Sequence, residues 1–154
     1  MNKSYALGVL FAAAGLFVSS AARSDQNRID RVVELRHAAM VVQAGTLPPL
    51  AAMVTGKAPY DPTRAQVLAD RAVVLAQIFT ETFPEESKVA TNTHTRPEVW
   101  TEWSTFSQLM TEYVDKTAAV AAAAKNGTLE SLKPAILDVG RVCRNCHERY
   151  ELLP

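Results

Sequence analysis

Cysteine is scarce in this chain of 154 residues: there are two, Cys143 and Cys146, three apart. A disulfide between them would be strained across two intervening helical residues. An excess of charge of either sign is missing as well. Sixteen Lys and Arg stand against 16 Asp and Glu, so there is no basic field to attract nucleic acid. Only one long apolar run occurs, Tyr5 to Val18. It falls well short of the roughly 20 residues a membrane span needs. Strand-like alternation is absent, which removes the βαβ setting of a thioredoxin-type redox pair. Histidine is limited to His37, His94 and His147. His37 and His94 are remote from the cysteines and show no ligand spacing, so a zinc site lacks its fourth partner; both read as surface residues.

What remains is the run Cys143-Arg144-Asn145-Cys146-His147, the attachment pattern of a c-type haem. On a helix, residues at i, i+3 and i+4 share one face, so Cys143, Cys146 and His147 project together. Two thiols on that face can form thioethers with the two vinyl groups of one porphyrin while the imidazole reaches the iron. The implied cofactor is one covalent haem c with its iron.

Residues 1–22 have the pattern of a cleaved secretory signal: Lys3, the apolar run, then Ser19-Ser20-Ala21-Ala22 as a small-residue cleavage region. The mature chain, residues 23–154, is then one exported domain. Its expected place is the periplasm, soluble and without stable membrane association. Removing the signal takes away a single charge, Lys3, leaving a net charge of about −1 with histidines neutral.

Four helical stretches are predicted in that domain. The first, 25–44, carries Ile29, Val33, Arg36, Met40 and Gln43 on one stripe, with Val32, Leu35, Ala39 and Val42 beside it. Gly45, Pro48 and Pro49 interrupt it, and residues 50–55 read as a further turn or two. Asp61 caps the second helix with Pro62 at its first position, and Pro84 ends it. Its apolar side is read as Val67, Leu68, Ala72, Leu75, Ile78, Phe79 and Phe83. Residues 84–96 form a polar connection. Pro97 restarts a third helix carrying Val99, Trp100, Trp103, Phe106, Met110, Tyr113, Val114 and Val120, stopped by Asn126-Gly127. The fourth opens near Thr128 or Ser131. Its apolar positions Leu129, Leu132, Ile136, Val139, Cys143, Cys146 and Tyr150 alternate steps of 3 and 4, a bundle seam. Four such helices predict an all-α, antiparallel four-helix bundle with the haem in its core near the C-terminal end.

The whole mature chain resembles a class II c-type cytochrome, the family of cytochrome c prime and its low-spin relatives. The resemblance is carried by Arg36 with Met40 four residues on, Ala58-Pro59-Tyr60-Asp61, Arg96-Pro97-Glu98-Val99-Trp100, and Val139-Gly140 leading to the C-terminal Cys143–His147. It implies that Cys143 and Cys146 are the thioether residues and His147 the proximal iron ligand. It implies haem-propionate contacts from Arg36, whose planar fork suits a carboxylate, and from Arg96. Phe83, Trp100 and Phe106 are implied as pocket lining, although large aromatics at helical spacing are also ordinary core.

By the same resemblance Met40 faces the iron on the distal side. There it either ligates, giving the His/Met pair suited to electron transfer, or blocks the position and leaves a five-coordinate iron open to NO or CO. Simple core filling is the third reading of a methionine. One departure from the family pattern stands out: a basic residue usually follows the aromatic after the attachment site, but Tyr150 is followed by Glu151. That favours electron transfer over proximal gas chemistry. The expected protein is therefore not an enzyme but a single-electron carrier serving redox partner proteins, with NO/CO binding as the alternative. The resemblance also implies a homodimer through the first two helices, although their exposed side, with Arg31, Glu34 and Val41, is mixed.

Overall fold

The computed structural model describes residues 6–152, with side chains from Arg23 onward. Residues 1–5 of the expected signal segment lie outside the described residues, as do all side chains of residues 6–22. The described chain is helical: α1 (Ala6–Gln43), α2 (Leu47–Val54), α3 (Pro62–Thr80), α4 (Glu98–Thr101), α5 (Trp103–Ala124) and α6 (Leu129–Tyr150), with a 3-10 turn at Glu85–Val89. The four long helices α1, α3, α5 and α6 make the bundle. α5 packs along both α3 and α6, while α1 packs on α3 and the 3-10 turn. α2 crosses at one end and lies against α6 and α3.

The helix boundaries follow from local chemistry. Asp61 caps α3, its carboxylate accepting from Arg64 N at 3.0 Å, and Pro62 is the first helical residue, where its missing N–H costs nothing. Thr128 rather than Ser131 caps α6, its hydroxyl accepting from Ser131 N at 3.2 Å. Gly127, at φ 68°, takes the left-handed conformation that closes α5. Pro48 and Pro49 open α2 instead of interrupting a helix, because both sit in its first turn, where backbone N–H groups have no intrahelical partner. By length and composition alone the run Arg23–Val54 is apolar enough to cross a membrane. Here it is broken at Ala44–Thr46 and carries a buried arginine bonded to the rest of the bundle.

The α6 seam is the predicted one. Leu132, Ile136, Val139 and Tyr150 are buried, with Val142 added. At roughly 1.5–3 kcal/mol for each large side chain fully buried, this seam and the α5 residues Phe106, Met110, Tyr113 and Val120 carry much of the folding energy. On α3 the expected stripe needs correction. Val67 and Ile78 are exposed, and the buried side is Ala65, Leu68, Ala69, Ala72, Ala76 and Phe79. Alanines there let neighbouring helices approach closely, which turns the bulkier residues outward. Leu35 and Val42 on α1 and Trp103 on α5 are likewise exposed.

The third helix is not continuous. Glu102, at φ −117° and ψ 33°, leaves helical geometry and separates α4 from α5. Neither Pro nor Gly marks the break. Its carboxylate instead reaches the end of α6, accepting from Arg149 Nε at 2.7 Å and from the Tyr150 hydroxyl at 3.1 Å.

Candidate haem site

The seam spacing sets Cys143 and Cys146 half-buried against the core, with no disulfide between them. Burial pushes the Cys146 thiol up to about 11 and raises that of Cys143 as well, so both are uncharged near neutrality. Tyr113 on α5 is raised too, first by burial and then by the two thiols themselves, which places its phenol in their company. Its hydroxyl is buried with no partner. His147, one residue past Cys146, is 54% exposed, and its Nδ1 lies 3.4 Å from Glu151 Oε2. That arrangement turns Nε2 away from the carboxylate.

Met40 comes from α1. It is half-buried and packs against the same core as Cys143, Cys146 and Trp100. α1 makes no extensive close approach to α6, so the elements carrying Met40 and His147 are separated rather than packed on each other. Among the described residues no three His, Cys, Asp or Glu side chains converge. Iron held by His147 would thus need its remaining ligands from a group such as a porphyrin.

Among the described residues, the buried side-chain polar atoms without partners are Gln43 Nε2 on α1, the Tyr60 hydroxyl before α3, Gln66 Oε1 on α3, Trp100 Nε1 on α4 and the Tyr113 hydroxyl on α5. Orphaned buried donors each cost about 1–3 kcal/mol. A planar apolar group with carboxylate arms would cover the half-buried thiols and give such donors acceptors. The residues present therefore fit a haem. A surface depression of about 520 Å³ lies between α5 and the attachment run, against Thr105, Leu109, Asn145, Glu148 and Arg149, and a smaller one of about 330 Å³ lies against Trp103, Ser107, Met110 and Asp115; neither is lined by Met40, Cys143, Cys146 or His147.

Arg36 is 6% exposed and fully engaged by protein. Its Nε and one terminal nitrogen donate to Thr82 O at 3.1 and 2.5 Å. That same nitrogen reaches Ser87 Oγ at 2.9 Å, and the other reaches Thr95 Oγ1 at 2.9 Å and Thr93 Oγ1 at 3.4 Å. Burial lowers its pKa to about 10, still far above neutrality, so it stays charged. Phe83 lies beneath it, and the Trp100 ring centre is 5.8 Å away. Phe83 and Phe106 are stacked edge to face, centroids 4.7 Å apart, and Phe106 meets Tyr150 at 5.2 Å.

Arg96 uses its Nε on Glu151 O at 2.8 Å, and its backbone N on Tyr150 O at 2.9 Å. The structure places the predicted residues in three sets. Arg36, Phe83, Phe106 and Trp100 form one connected group, Arg96 ties to the end of α6, and Met40 and the cysteines share the core. The sequence reading missed Thr82, Ser87 and Thr95 as partners of Arg36; the only signal was a charged residue on an apolar stripe.

The family model described as Cytochrome C' matches residues 31–151. Cytochrome c-554 of Cereibacter sphaeroides is 33% identical over 138 residues, covering 88% of this chain and 90% of that protein. Cytochrome c' of Alcaligenes xylosoxydans is 28% identical over 77% of this chain and 91% of its own. Among solved structures, cytochrome c prime of Shewanella frigidimarina superposes with a TM-score of 0.76 at 30% identity, covering 80% of this chain and 95% of that one. A ferrous variant of the Alcaligenes xylosoxidans protein with bound NO gives 0.76 at 26% identity, over 82% and 97%. An all-helical bundle, a Cys-x-x-Cys-His at its C-terminal end and a family match spanning most of the sequence lead to one conclusion: this chain belongs to the cytochrome c' family and carries one covalent haem c with its iron.

Proposed function

We propose that the protein is a periplasmic single-electron carrier, exported by cleavage of residues 1–22 and working as residues 23–154. In this reading Cys143 and Cys146 hold the haem, His147 binds the iron through Nε2, and Met40 is the sixth ligand. The observation that supports it is the position of Met40, half-buried on the core that also receives both cysteines. The haem supplies the one-electron couple; the chain's residues set its surroundings. Phe83, Trp100 and Phe106 exclude water from the iron's neighbourhood. Low local dielectric and a thioether ligand both favour the reduced state. Arg36 and Arg96 supply positive charge for the propionates, and the longest Arg36 bond, to Thr93 at 3.4 Å, is the one a propionate would displace. No group in this reading acts as a general acid or base.

A five-coordinate, gas-binding haem is the second reading, favoured by the relative of similar fold whose structure holds NO. An optical spectrum of the reduced protein, taken with and without CO, separates the two. Electron transfer through a His/Met haem gives a low-spin spectrum unchanged by CO. A high-spin spectrum that shifts on adding CO overturns methionine ligation and leaves the gas binder.

A further inference from the structure

The end of α6 holds a contact that simple haem attachment does not require. Nδ1 of His147 lies 3.4 Å from Glu151 Oε2, one helical turn further on. The position of Glu151 is fixed from several sides at a helix end that would ordinarily fray. Its N–H donates to His147 O at 3.1 Å, and its carbonyl accepts from Arg96 Nε at 2.8 Å. It pairs with Thr95 in an isolated antiparallel bridge, and Leu152 N, one residue on, donates to His94 O at 2.7 Å. The nearest cation on the same turn is already taken: Arg149 is paired with Glu102 at 2.7 Å and lies over the Tyr150 ring.

We propose that the Glu151 carboxylate is the acceptor for the Nδ1 hydrogen of His147, and so a positioning residue that tunes the iron's proximal ligand. The proposal rests on the reading of His147 as that ligand. A hydrogen bond at Nδ1 fixes the tautomer and leaves Nε2 to the metal. A carboxylate is a stronger acceptor than a neutral carbonyl, so it makes the imidazole a better electron donor. That stabilises ferric over ferrous iron and opposes the pull of a methionine on the other side. The 3.4 Å separation lies a few tenths of an ångström beyond a normal N–H···O bond, a gap that a small rotation of the exposed imidazole closes.

The test uses the full holo-protein with Glu151→Gln and, as a control for charge alone, Glu148→Gln, an exposed glutamate next to His147 that makes no such contact. At fixed ambient potential Glu151→Gln raises the reduced-to-oxidised ratio about tenfold, equivalent to about 59 mV for one electron. Glu148→Gln raises it less than threefold. In proton NMR, the haem-shifted Nδ1–H of His147 exchanges with solvent at least tenfold faster in Glu151→Gln than in the parent protein. Equal potential shifts in the two variants, or an exchange rate unchanged by Glu151→Gln, overturn the proposal while leaving His147 as ligand. A histidine resonance without any haem-induced shift, together with a native spectrum in His147→Ala, overturns the parent reading and this one with it.

Discussion

The guanidinium carbon of Arg36 sits 4.2 Å from the centre of the Phe83 ring, while the nitrogens around it donate to Thr82, Ser87, Thr93 and Thr95. A charge so buried is tolerable only because its donors are matched to acceptors and its face to an aromatic ring. The connection between α3 and α4 is buried at Thr82, Phe83 and Ser87, and of these only Phe83 is apolar, too little with which to form a core. Arg36 substitutes for one.

Arg36→Ala leaves Thr82 O and the Ser87 hydroxyl without their charged donor. It is expected to cost about 3 kcal/mol, the range for hydrogen bonds to a buried charge and the groups they leave behind. Arg36→Lys keeps the charge but not the planar fork, and recovers about half of that. Denaturant melts of the holo-proteins measure both. Hydrogen exchange locates the effect: amides of residues 85–96 lose protection in Arg36→Ala while those of α5 follow only the global stability. Unchanged exchange in 85–96 would show that the connection holds itself.

Buried Tyr113 gives the protein an alkaline limit. Its phenol is raised above the ordinary value of 10.0, chiefly by burial, so folded protein holds its proton where unfolded chain releases it. The stabilising term is complete below pH 10 and is lost as pH rises above it, at about 1.4 kcal/mol per pH unit for one proton. Tyr113→Phe should remove that slope from the holo-protein's stability profile. Protein made without haem attachment has a second loss beginning earlier. Its free thiols start from 9.0, and Cys146 is raised to about 11, so this loss runs from about pH 9 and for that thiol levels off above about 11. Thioether formation abolishes it, which makes the difference between the two profiles the measurement.

Removing either well-formed cap should cost about 1 kcal/mol, measured by thermal or urea melts of Asp61→Ala and Thr128→Ala. These caps also mark how much of the fold the sequence disclosed. Asp61-Pro62 states its role locally, since a side-chain oxygen three residues before a free N–H needs no tertiary partner, whereas at α6 the sequence offered both Thr128 and Ser131 and the structure selects Thr128. The α6 seam was legible for a similar reason: a strict 3/4 step leaves one face for the core. On α3 two overlapping stripes were available, and choosing the larger side chains pointed to Val67 and Ile78, whereas close helix packing selected Ala69 and Ala76. The break at Glu102 was invisible because its cause lies 47 and 48 residues away, in Arg149 and Tyr150. At the site, covalent attachment could be read from five consecutive residues, but the surroundings of Arg36 could not. Its acceptors are a backbone carbonyl and hydroxyls 46 to 59 residues distant, in and beside a segment that read as a long polar connection without naming its partners.

Met40→Leu separates packing from ligation. The swap conserves volume closely enough that a half-buried site should lose less than about 1.5 kcal/mol, so the bundle and the covalent haem survive. If the thioether binds iron, its loss removes the sixth ligand and with it the stabilisation that methionine gives to ferrous iron. The reduced protein then turns high-spin, its reduction potential falls, and CO, without effect on the parent, binds. If Met40 only fills space, the optical spectrum, the potential and the CO response of the variant all match those of the parent. The carboxylate of Glu151 acts in the opposite direction, favouring ferric iron from the proximal side. The double variant Met40→Leu/Glu151→Gln should therefore have a potential between those of the two single variants, and the shortfall from additivity measures how strongly the two axial sides are coupled through the iron.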